Sequence, residues 1–474
     1  GTTMSEKRCG RLGRVLVLGL GRTGESVCRY LCGLPSGRVE SVTLYGGAAS
    51  APGEATRALE AAGARVVCGT EDVEGSYDLA VASPGIPMDS DFFCAAAAAS
   101  AEVVGEPEFA YRESPERWVA VTGTNGKTTT TSLVTHLMRA AGLDACSVGN
   151  IGTIVTDEVA RRRDGEWLVA ELSSFQLATT RELRPRAAVL LNVTPDHLEW
   201  HHTMEAYAAA KERAFANMGA GDLAVVSVDD DWCRAVRDRL VARGVRTCEL
   251  SVTCEPASDD AAFLRGDELV VRLAGLERCV ARRGELRIFG THNAQNALAA
   301  CAVALGLGCD PDRVREALLG FSPIEHRIEP CGEHAGVRFV NDSKATNADS
   351  VEKALEAFEP GSVVVLLGGH DKMCDLSSLA ARVCERCRAA VCFGEAGPRI
   401  HAALDDAAAG RDAAPLVVDA PHMREAFSAA VAQARPGDVV LLSPACSSFD
   451  EFSGMAERGR LFKDLVRALG REGE

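Results

Sequence analysis

Thr122-Gly123-Thr124-Asn125-Gly126-Lys127-Thr128 joins a short apolar run, Trp118-Val119-Ala120-Val121, to a long stretch of helical pattern. Between a strand and a helix, a loop of this kind surrounds nucleotide phosphates. Backbone N–H groups face the anion, the lysine adds charge, and the threonine hydroxyl reaches Mg2+. The general P-loop spacing would put glycine where Val121 stands, so this loop is a shortened and more particular form. Gly123 to Thr129 are therefore candidate ATP contacts (Gly123, Thr124, Asn125, Gly126, Lys127, Thr128, Thr129). Two further segments follow apolar runs that read as strands: Glu171-Leu172-Ser173-Ser174-Phe175-Gln176-Leu177 and Asn192-Val193-Thr194-Pro195-Asp196-His197-Leu198. In open α/β sheets the C-terminal strand ends face the ligand crevice, which places Glu171 and His197 to converge on the loop as metal ligands.

A second glycine pattern stands near the N-terminus. Gly19, Gly21 and Gly24 satisfy G-x-G-x-x-G after the strand-like Val15-Leu16-Val17-Leu18 and before a helix running through Tyr30. A nicotinamide enzyme would carry an acidic residue at the end of the next strand to hold the ribose. Here that strand ends Thr43-Leu44-Tyr45-Gly46-Gly47, with no Asp or Glu. The loop still suits a diphosphate held by helix N-terminal amides, without a redox cofactor.

The elements that must position these groups alternate between strand and helix. Val42 to Leu44 and Leu79 to Ala82 read as strands, and Ala55 to Ala62 and Ala95 to Ala99 as helices, so a parallel sheet is expected. Pro115 and a charge cluster break the pattern near Arg112 to Arg117. A helix from Lys127 to Ala141 then stops at Gly142, and strands follow at Leu168 to Ala170 and Ala188 to Leu191. After a second break at Phe321 to Glu325 come Val337 to Val340, Val363 to Leu367, Ala390 to Phe393 and Val439 to Leu442. The expectation is an α/β chain of three domains. Residues 1–113 form a Rossmann-like N-terminal domain, 114–322 a central P-loop-type mononucleotide-binding domain with a mostly parallel sheet, and 323–474 a Rossmann-like C-terminal domain.

Composition excludes some alternatives. The 474 residues carry a formal net charge of −16, which argues against nucleic acid held by general electrostatics but not against an anionic small molecule. The 18 cysteines are scattered, many inside apolar stretches, and read as reduced thiols. Cys384 and Cys387 form a lone CxxC in a helical segment with no second pair, too little for a zinc site. No run of about 18 apolar residues spans a bilayer, so a cytoplasmic location without membrane partners is expected.

These residues resemble the Mur ligase family along essentially the whole chain from about Arg14. The shortened loop is shared with folylpolyglutamate synthetase relatives and fixes only the reaction class. Glu171 to Leu177, Asn341-Asp342-Ser343-Lys344-Ala345-Thr346-Asn347 and Leu442-Ser443-Pro444-Ala445-Cys446-Ser447-Ser448-Phe449-Asp450 are similar to the D-glutamate-adding members. The resemblance implies that the carboxylate of UDP-N-acetylmuramoyl-L-alanine attacks ATP, and that D-glutamate then displaces phosphate from the acyl phosphate. It implies two Mg2+ sites, one held by Thr128 and Glu171, the other by His197 and a carbamylated Lys211. Lys127, Glu171, His197 and Lys211 would be the catalytic set. Unaided, the sequence reads Lys211 as an exposed helical lysine.

The resemblance further places adenine at Asn293 and Asn296, one helical turn apart, and the rest of the nucleotide at Arg327, beside His326, and at Asp342. It places the muramoyl substrate at Leu20, Arg22, Thr23, Ser83, Asn150 and His197, and D-glutamate at Lys344, Thr346, Lys372, Ser448 and Phe449. Two departures stand out. Gly368-Gly369-His370-Asp371-Lys372 keeps the lysine of its loop but not the usual residues before it, and Tyr45-Gly46 stands where relatives often carry Asp-Thr for uracil. Ring stacking on Tyr45, or backbone groups, would then read the base. A monomer is expected. The competing readings are a folylpolyglutamate-type ligase or another Mur ligase, a regulatory P-loop switch that hydrolyses ATP, and a nicotinamide dehydrogenase.

Overall fold

The computed structural model describes residues 10–150, 153–196, 201–321 and 326–471. Its strands form three sheets, each mostly or wholly parallel and flanked by helices. The first is built from β1 (Gly13–Leu18), β2 (Val39–Tyr45), β3 (Arg65–Val67), β4 (Leu79–Ala82) and β5 (Val103–Gly105) in the order β3-β2-β1-β4-β5. All of its pairings are parallel. Apolar runs such as Val15 to Leu18 are buried on both faces, as parallel strands covered by helices must be.

The second sheet contains β6 (Trp118–Thr122), β7 (Ala145–Gly149), β8 (Trp167–Glu171), β9 (Ala187–Leu190), β10 (Leu223–Ser227), β11 (Arg246–Ser251), β12 (Ala261–Arg265), β13 (Glu268–Leu273) and β14 (Leu276–Arg282). Its order is β14-β13-β12-β11-β10-β9-β6-β8-β7. The body is parallel, and β12, β13 and β14 extend one edge as an antiparallel meander. The third sheet contains β15 (Glu329–His334), β16 (Val337–Asn341), β17 (Val363–Gly368), β18 (Cys387–Phe393), β19 (Leu416–Ala420) and β20 (Val439–Ala445), ordered β15-β16-β20-β17-β18-β19. Only β15 pairs antiparallel there.

Contacts divide the chain into two compact units. Gly1–Arg282 with Gln295–Leu318 holds the first two sheets, and Arg283–Ala294 with Leu319–Glu474 holds the third. Within the first unit, the helix Glu106–Glu113 ties the first sheet to the second through buried carboxylates. Glu108 is 0% exposed, and its carboxylate accepts the backbone N–H groups of Arg181, Glu182 and Leu183 at 2.9 to 3.1 Å. Glu113 takes both terminal nitrogens of the buried Arg38 at 2.7 and 2.9 Å and the Tyr30 hydroxyl at 2.6 Å.

Expected elements fall where the pattern put them. The alanine run belongs to the helix Asp91–Ala99, capped by the Ser90 side chain on Phe93 N. The phosphate-loop helix is Lys127–Ala140, with Gly142 at φ 93° just beyond it. The CxxC differs from expectation. Cys384 lies in the helix Ser377–Arg386, but Cys387 opens β18, because the β-branched and apolar residues after it pair with β17. All described cysteines are free thiols, and the described residues contain no cluster of three or more His, Cys, Asp or Glu able to hold a metal. Among the described residues no helix is long and apolar enough to cross a membrane.

Candidate active site

The phosphate loop leaves β6, third from one edge of the second sheet, where chain order switches. Its neighbour β8 pairs Val121 with Glu171, and its other neighbour β9 pairs Thr122 with Leu190. The loop, Glu171 and the segment from Asn192 therefore emerge side by side at one sheet edge, where open α/β sheets bind ligands. Gly126 sits at φ 88°, a left-handed position at the helix N-cap that favours glycine, and a Cβ there would lie 2.5 Å from Asn296 Oδ1.

Thr128 Oγ1 donates to Glu171 Oε1 at 3.2 Å. Glu171 is 4% exposed, and its Oε2 is buried without a hydrogen-bond partner. Burial pushes its carboxyl above the ordinary range, with the Thr128 hydrogen bond and the Lys127 charge pulling the other way. A hydroxyl beside an orphaned carboxylate oxygen is a hard-oxygen donor pair of the kind Mg2+ takes.

Lys127 Nζ donates to Gly123 O at 2.9 Å and to Thr124 O at 3.2 Å. Lys211, in the helix Met204–Glu212, donates to the same Gly123 O at 2.8 Å. Far from being exposed, Lys211 is 1% exposed, with Nζ 4.8 Å from the centre of the Tyr207 ring. The alanines before it pack one face of this short helix inward, and the lysine follows them. Burial, and then the positive charge of Lys127, push the Lys211 ammonium down to about 7. Lys127 is lowered too, chiefly by burial. Two ammonium groups on one carbonyl repel each other, a strain relieved by a bound anion or by loss of a proton. Tyr207 OH lies 2.9 Å from Thr124 Oγ1 and steadies the loop. His197 lies outside the described residues.

Asn296 is 2% exposed and abuts the loop at Gly126. Asn293 Nδ2 donates to Phe289 O at 2.8 Å. Asn150 is exposed after Gly149, its backbone N–H donating to Glu171 O at 3.1 Å.

On the first sheet, Gly19 follows β1 and Ser83 follows β4 at the switch point, and a Cβ on Gly19 would lie 2.7 Å from Ser83 Oγ. Gly24 seats its helix against the strand, since a Cβ there would strike Gly19 O at 1.9 Å, whereas Gly21 has open space beside it. Arg22 is exposed, and Leu20 and Thr23 half-buried, along the same opening. Tyr45 does not offer its ring. It is 2% exposed, packed with Leu16, Tyr77 and Phe92, and its hydroxyl accepts from Glu74 N at 3.0 Å. Stacking of a base on Tyr45 is ruled out in this conformation.

On the third sheet, β20 runs between β16 and β17, pairing Leu442 with Asn341 and Ala445 with Gly368. The three loops that leave these strands thus lie together at one edge. Ala445 N donates to Ala345 O at 3.0 Å, and His370 N to Ser447 O at 2.9 Å. Ala445 takes φ 67° and His326 φ 67°, left-handed positions without glycine. Asp342 is 3% exposed and accepts from Ser443 Oγ at 2.7 Å and Ile328 N at 3.1 Å. Burial raises its carboxyl to about 6. Both of its oxygens therefore shape the loop. Lys344, Lys372 and Phe449 are exposed, Thr346 is half-buried, and Ser448 is 1% exposed with its hydroxyl unpartnered. Arg327 is exposed. Arg458, 0% exposed, clamps the first and last of these loops through Ser343 Oγ and O and Cys446 O at 2.9 to 3.0 Å. Sequence reasoning passed over Arg458, Tyr207 and Asn192, since an arginine in an amphipathic helix, a tyrosine and an asparagine give no signal by spacing.

Three mostly parallel sheets, with a shortened phosphate loop at the switch point of the second, define a nucleotide-binding α/β protein of the P-loop type. Residues 121–304 match the Mur ligase middle domain, and residues 326–446 the Mur ligase glutamate ligase domain. The chain belongs to the Mur ligase family. It is 40% identical over 460 residues to the UDP-N-acetylmuramoylalanine–D-glutamate ligase of Pelotomaculum thermopropionicum, covering 96% of this chain and 98% of that one. It is 39% identical to the enzyme of the same name from Solibacter usitatus, covering 96% and 98%. Among solved structures it resembles a UDP-N-acetylmuramoyl-L-alanyl-D-glutamate–2,6-diaminopimelate ligase, with a TM-score of 0.59 at 19% identity over 84% of this chain and 94% of that one.

Proposed function

We infer that this chain is an ATP-dependent ligase that joins D-glutamate to UDP-N-acetylmuramoyl-L-alanine, in the cytoplasmic synthesis of the peptidoglycan precursor. The observation that carries the reading is the convergence of the phosphate loop with Thr128 and the half-satisfied Glu171 carboxylate at one sheet edge. The names of the near full-length relatives narrow the two substrates.

The substrate carboxylate attacks the γ-phosphorus of ATP, the bond to the bridging oxygen breaks, and ADP leaves. The D-glutamate amine then attacks the acyl carbon, phosphate departs with the C–O electron pair, and the amine loses a proton. Phosphorylation is needed because a free carboxylate is a poor acyl donor at neutral pH. Lys127, beside the loop carbonyls, offsets charge on the transferring phosphoryl group. Thr128 and Glu171 fit one Mg2+, and Lys211 with His197 would hold a second. Mg2+ bound there screens the phosphate oxygens and polarises the phosphorus. Held down to about 7, the Lys211 amine is substantially neutral near pH 7. That is the form whose nitrogen adds to CO2, losing a proton to give the carbamate.

In this reading residues 1–113 bind the UDP end, through Leu20, Arg22, Thr23 and Ser83, with Asn150 and His197 nearer the reacting end. Residues 114–322 bind ATP, with Asn296 against the loop and Asn293 toward adenine. Residues 323–474 bind D-glutamate, whose two carboxylates need the cations Lys344 and Lys372 and the donors Thr346 and Ser448 beside Phe449. Arg327 would serve the phosphates, and Asp342, with both oxygens engaged, would act mainly by holding the ribose-side loop. Phosphate release with ATP and both substrates, each omitted in turn, tests this. Release is expected only with all three present. Turnover that ignores D-glutamate, or runs equally well with L-glutamate, would sink the assignment.

A further inference from the structure

Asn192, the first residue after Leu191 beyond β9, holds the phosphate loop through both its side-chain amide and its backbone carbonyl. Its Oδ1 accepts from Thr124 N at 2.9 Å and from Asn125 N at 2.8 Å, and its Nδ2 donates to Asn125 O at 3.0 Å. Its backbone carbonyl also accepts from Thr124 N, at 3.0 Å. One amide thus satisfies both edges of the Thr124-Asn125 turn. Thr194, two residues on, donates its backbone N–H to Thr124 Oγ1 at 3.0 Å.

This arrangement decides which donors the loop can offer. The N–H groups of Thr124 and Asn125 are committed to Asn192, while Thr130 N closes the first helical turn on Gly126 O. The N–H groups of Lys127, Thr128 and Thr129 belong to the first helical turn, where no intrahelical acceptor exists and an anion is the natural partner. Without the Asn192 side chain, the Asn125 N–H at the mouth of the loop would be released, Thr124 N would keep only the backbone carbonyl of residue 192, and the left-handed Gly126 turn would lose its brace.

We propose that Asn192 is a positioning residue for nucleotide phosphate, acting through the loop: it removes the Thr124 and Asn125 amides from the donor set and aims the first helical turn at the phosphates. The proposal rests on the reading of this loop as the ATP site. Asn192→Ala and Asn192→Asp are measured in the full-length enzyme, with kcat and KM for ATP and for D-glutamate and a thermal melt. The aspartate keeps both accepted bonds and the side-chain shape, but cannot donate to Asn125 O and sets a negative charge beside the phosphates. The alanine gives up all three side-chain hydrogen bonds and the aspartate one while adding a repelling charge, and a net loss of one to two hydrogen bonds corresponds to a change of about tenfold. Both variants are expected to raise KM for ATP by about tenfold or more, leaving KM for D-glutamate within about twofold. An alanine variant that melts as a folded protein with unchanged KM for ATP, or equal rises in both KM values in either variant, would overturn the proposal, since a bracing role confined to stability would give one of those patterns. A wild-type enzyme whose turnover ignores ATP would instead overturn the reading of the loop itself.

Discussion

Lys211 shows how a single residue can be misjudged from sequence and set right by packing. Its pattern, Tyr207-Ala208-Ala209-Ala210-Lys211, has no apolar periodicity strong enough to mark the lysine as inward, yet it is buried on Gly123 O beside Lys127. The folded pKa is depressed to about 7, whereas an unfolded lysine titrates near about 10.4. Between those values the unfolded chain holds a proton that the native state lacks, so stability rises with pH across the window and falls as pH drops toward 7. Lys211→Met is expected to melt higher than wild type at pH 7 in CO2-free buffer, and to lose that pH slope. A variant with the same slope as wild type would place the titrating group elsewhere. In activity, Lys211→Ala should lose about a hundredfold or more. Bicarbonate should not repair it, while a small carboxylic acid should restore part. The phosphate loop and Glu171 were legible because their residue types follow strand-like runs, and the third-sheet motifs only through the family resemblance. Asn192, Tyr207 and Arg458 were not, because each acts through hydrogen bonds whose partners are distant in sequence.

At the scale of elements, the parallel strands were readable because strands covered on both faces need continuous apolar runs, and Val15 to Leu18, Trp118 to Val121 and Val363 to Leu367 supply them. The antiparallel edge β12 to β14 was not, since its apolar stretches, such as Ala261 to Leu264 and Leu269 to Val271, are short and bounded by charged residues, giving neither a long apolar run nor a clean alternation. Nor was the role of the helix Glu106–Glu113, which looked like the charged end of a domain break. Glu108 shows what those charges do: it closes three successive N–H groups at Arg181 to Leu183 and pairs with Arg112 at 2.7 Å while wholly buried. Glu108→Ala leaves those amides without acceptors and Arg112 with one carboxylate fewer, a loss of about 2–4 kcal/mol. Urea denaturation followed by tryptophan fluorescence measures it, and Glu108→Gln, which can still accept, should cost less. A cost below about 0.5 kcal/mol for the alanine variant would mean that water replaces the carboxylate.

The whole molecule divides into two compact units, and its aromatic residues are unevenly shared between them. All four tryptophans, Trp118, Trp167, Trp200 and Trp232, and all five tyrosines fall within the sequence span Gly1–Arg282 of the unit that carries the phosphate loop. Tryptophan fluorescence therefore reports the unfolding of that unit alone, while far-UV circular dichroism reports helices in both. Chains with more than one compact unit commonly depart from two-state unfolding. The two probes are accordingly expected to give different midpoints for the ligand-free protein. A ligand that binds only the native phosphate-loop unit stabilises it by mass action, about 2.7 kcal/mol at a concentration one hundred times its Kd. Adding ATP with Mg2+ should then raise the fluorescence midpoint, while the part of the dichroism transition that fluorescence does not see stays in place. Coincident curves that move together would show instead that the two units unfold as one cooperative body, with the effect of nucleotide spread through the whole chain.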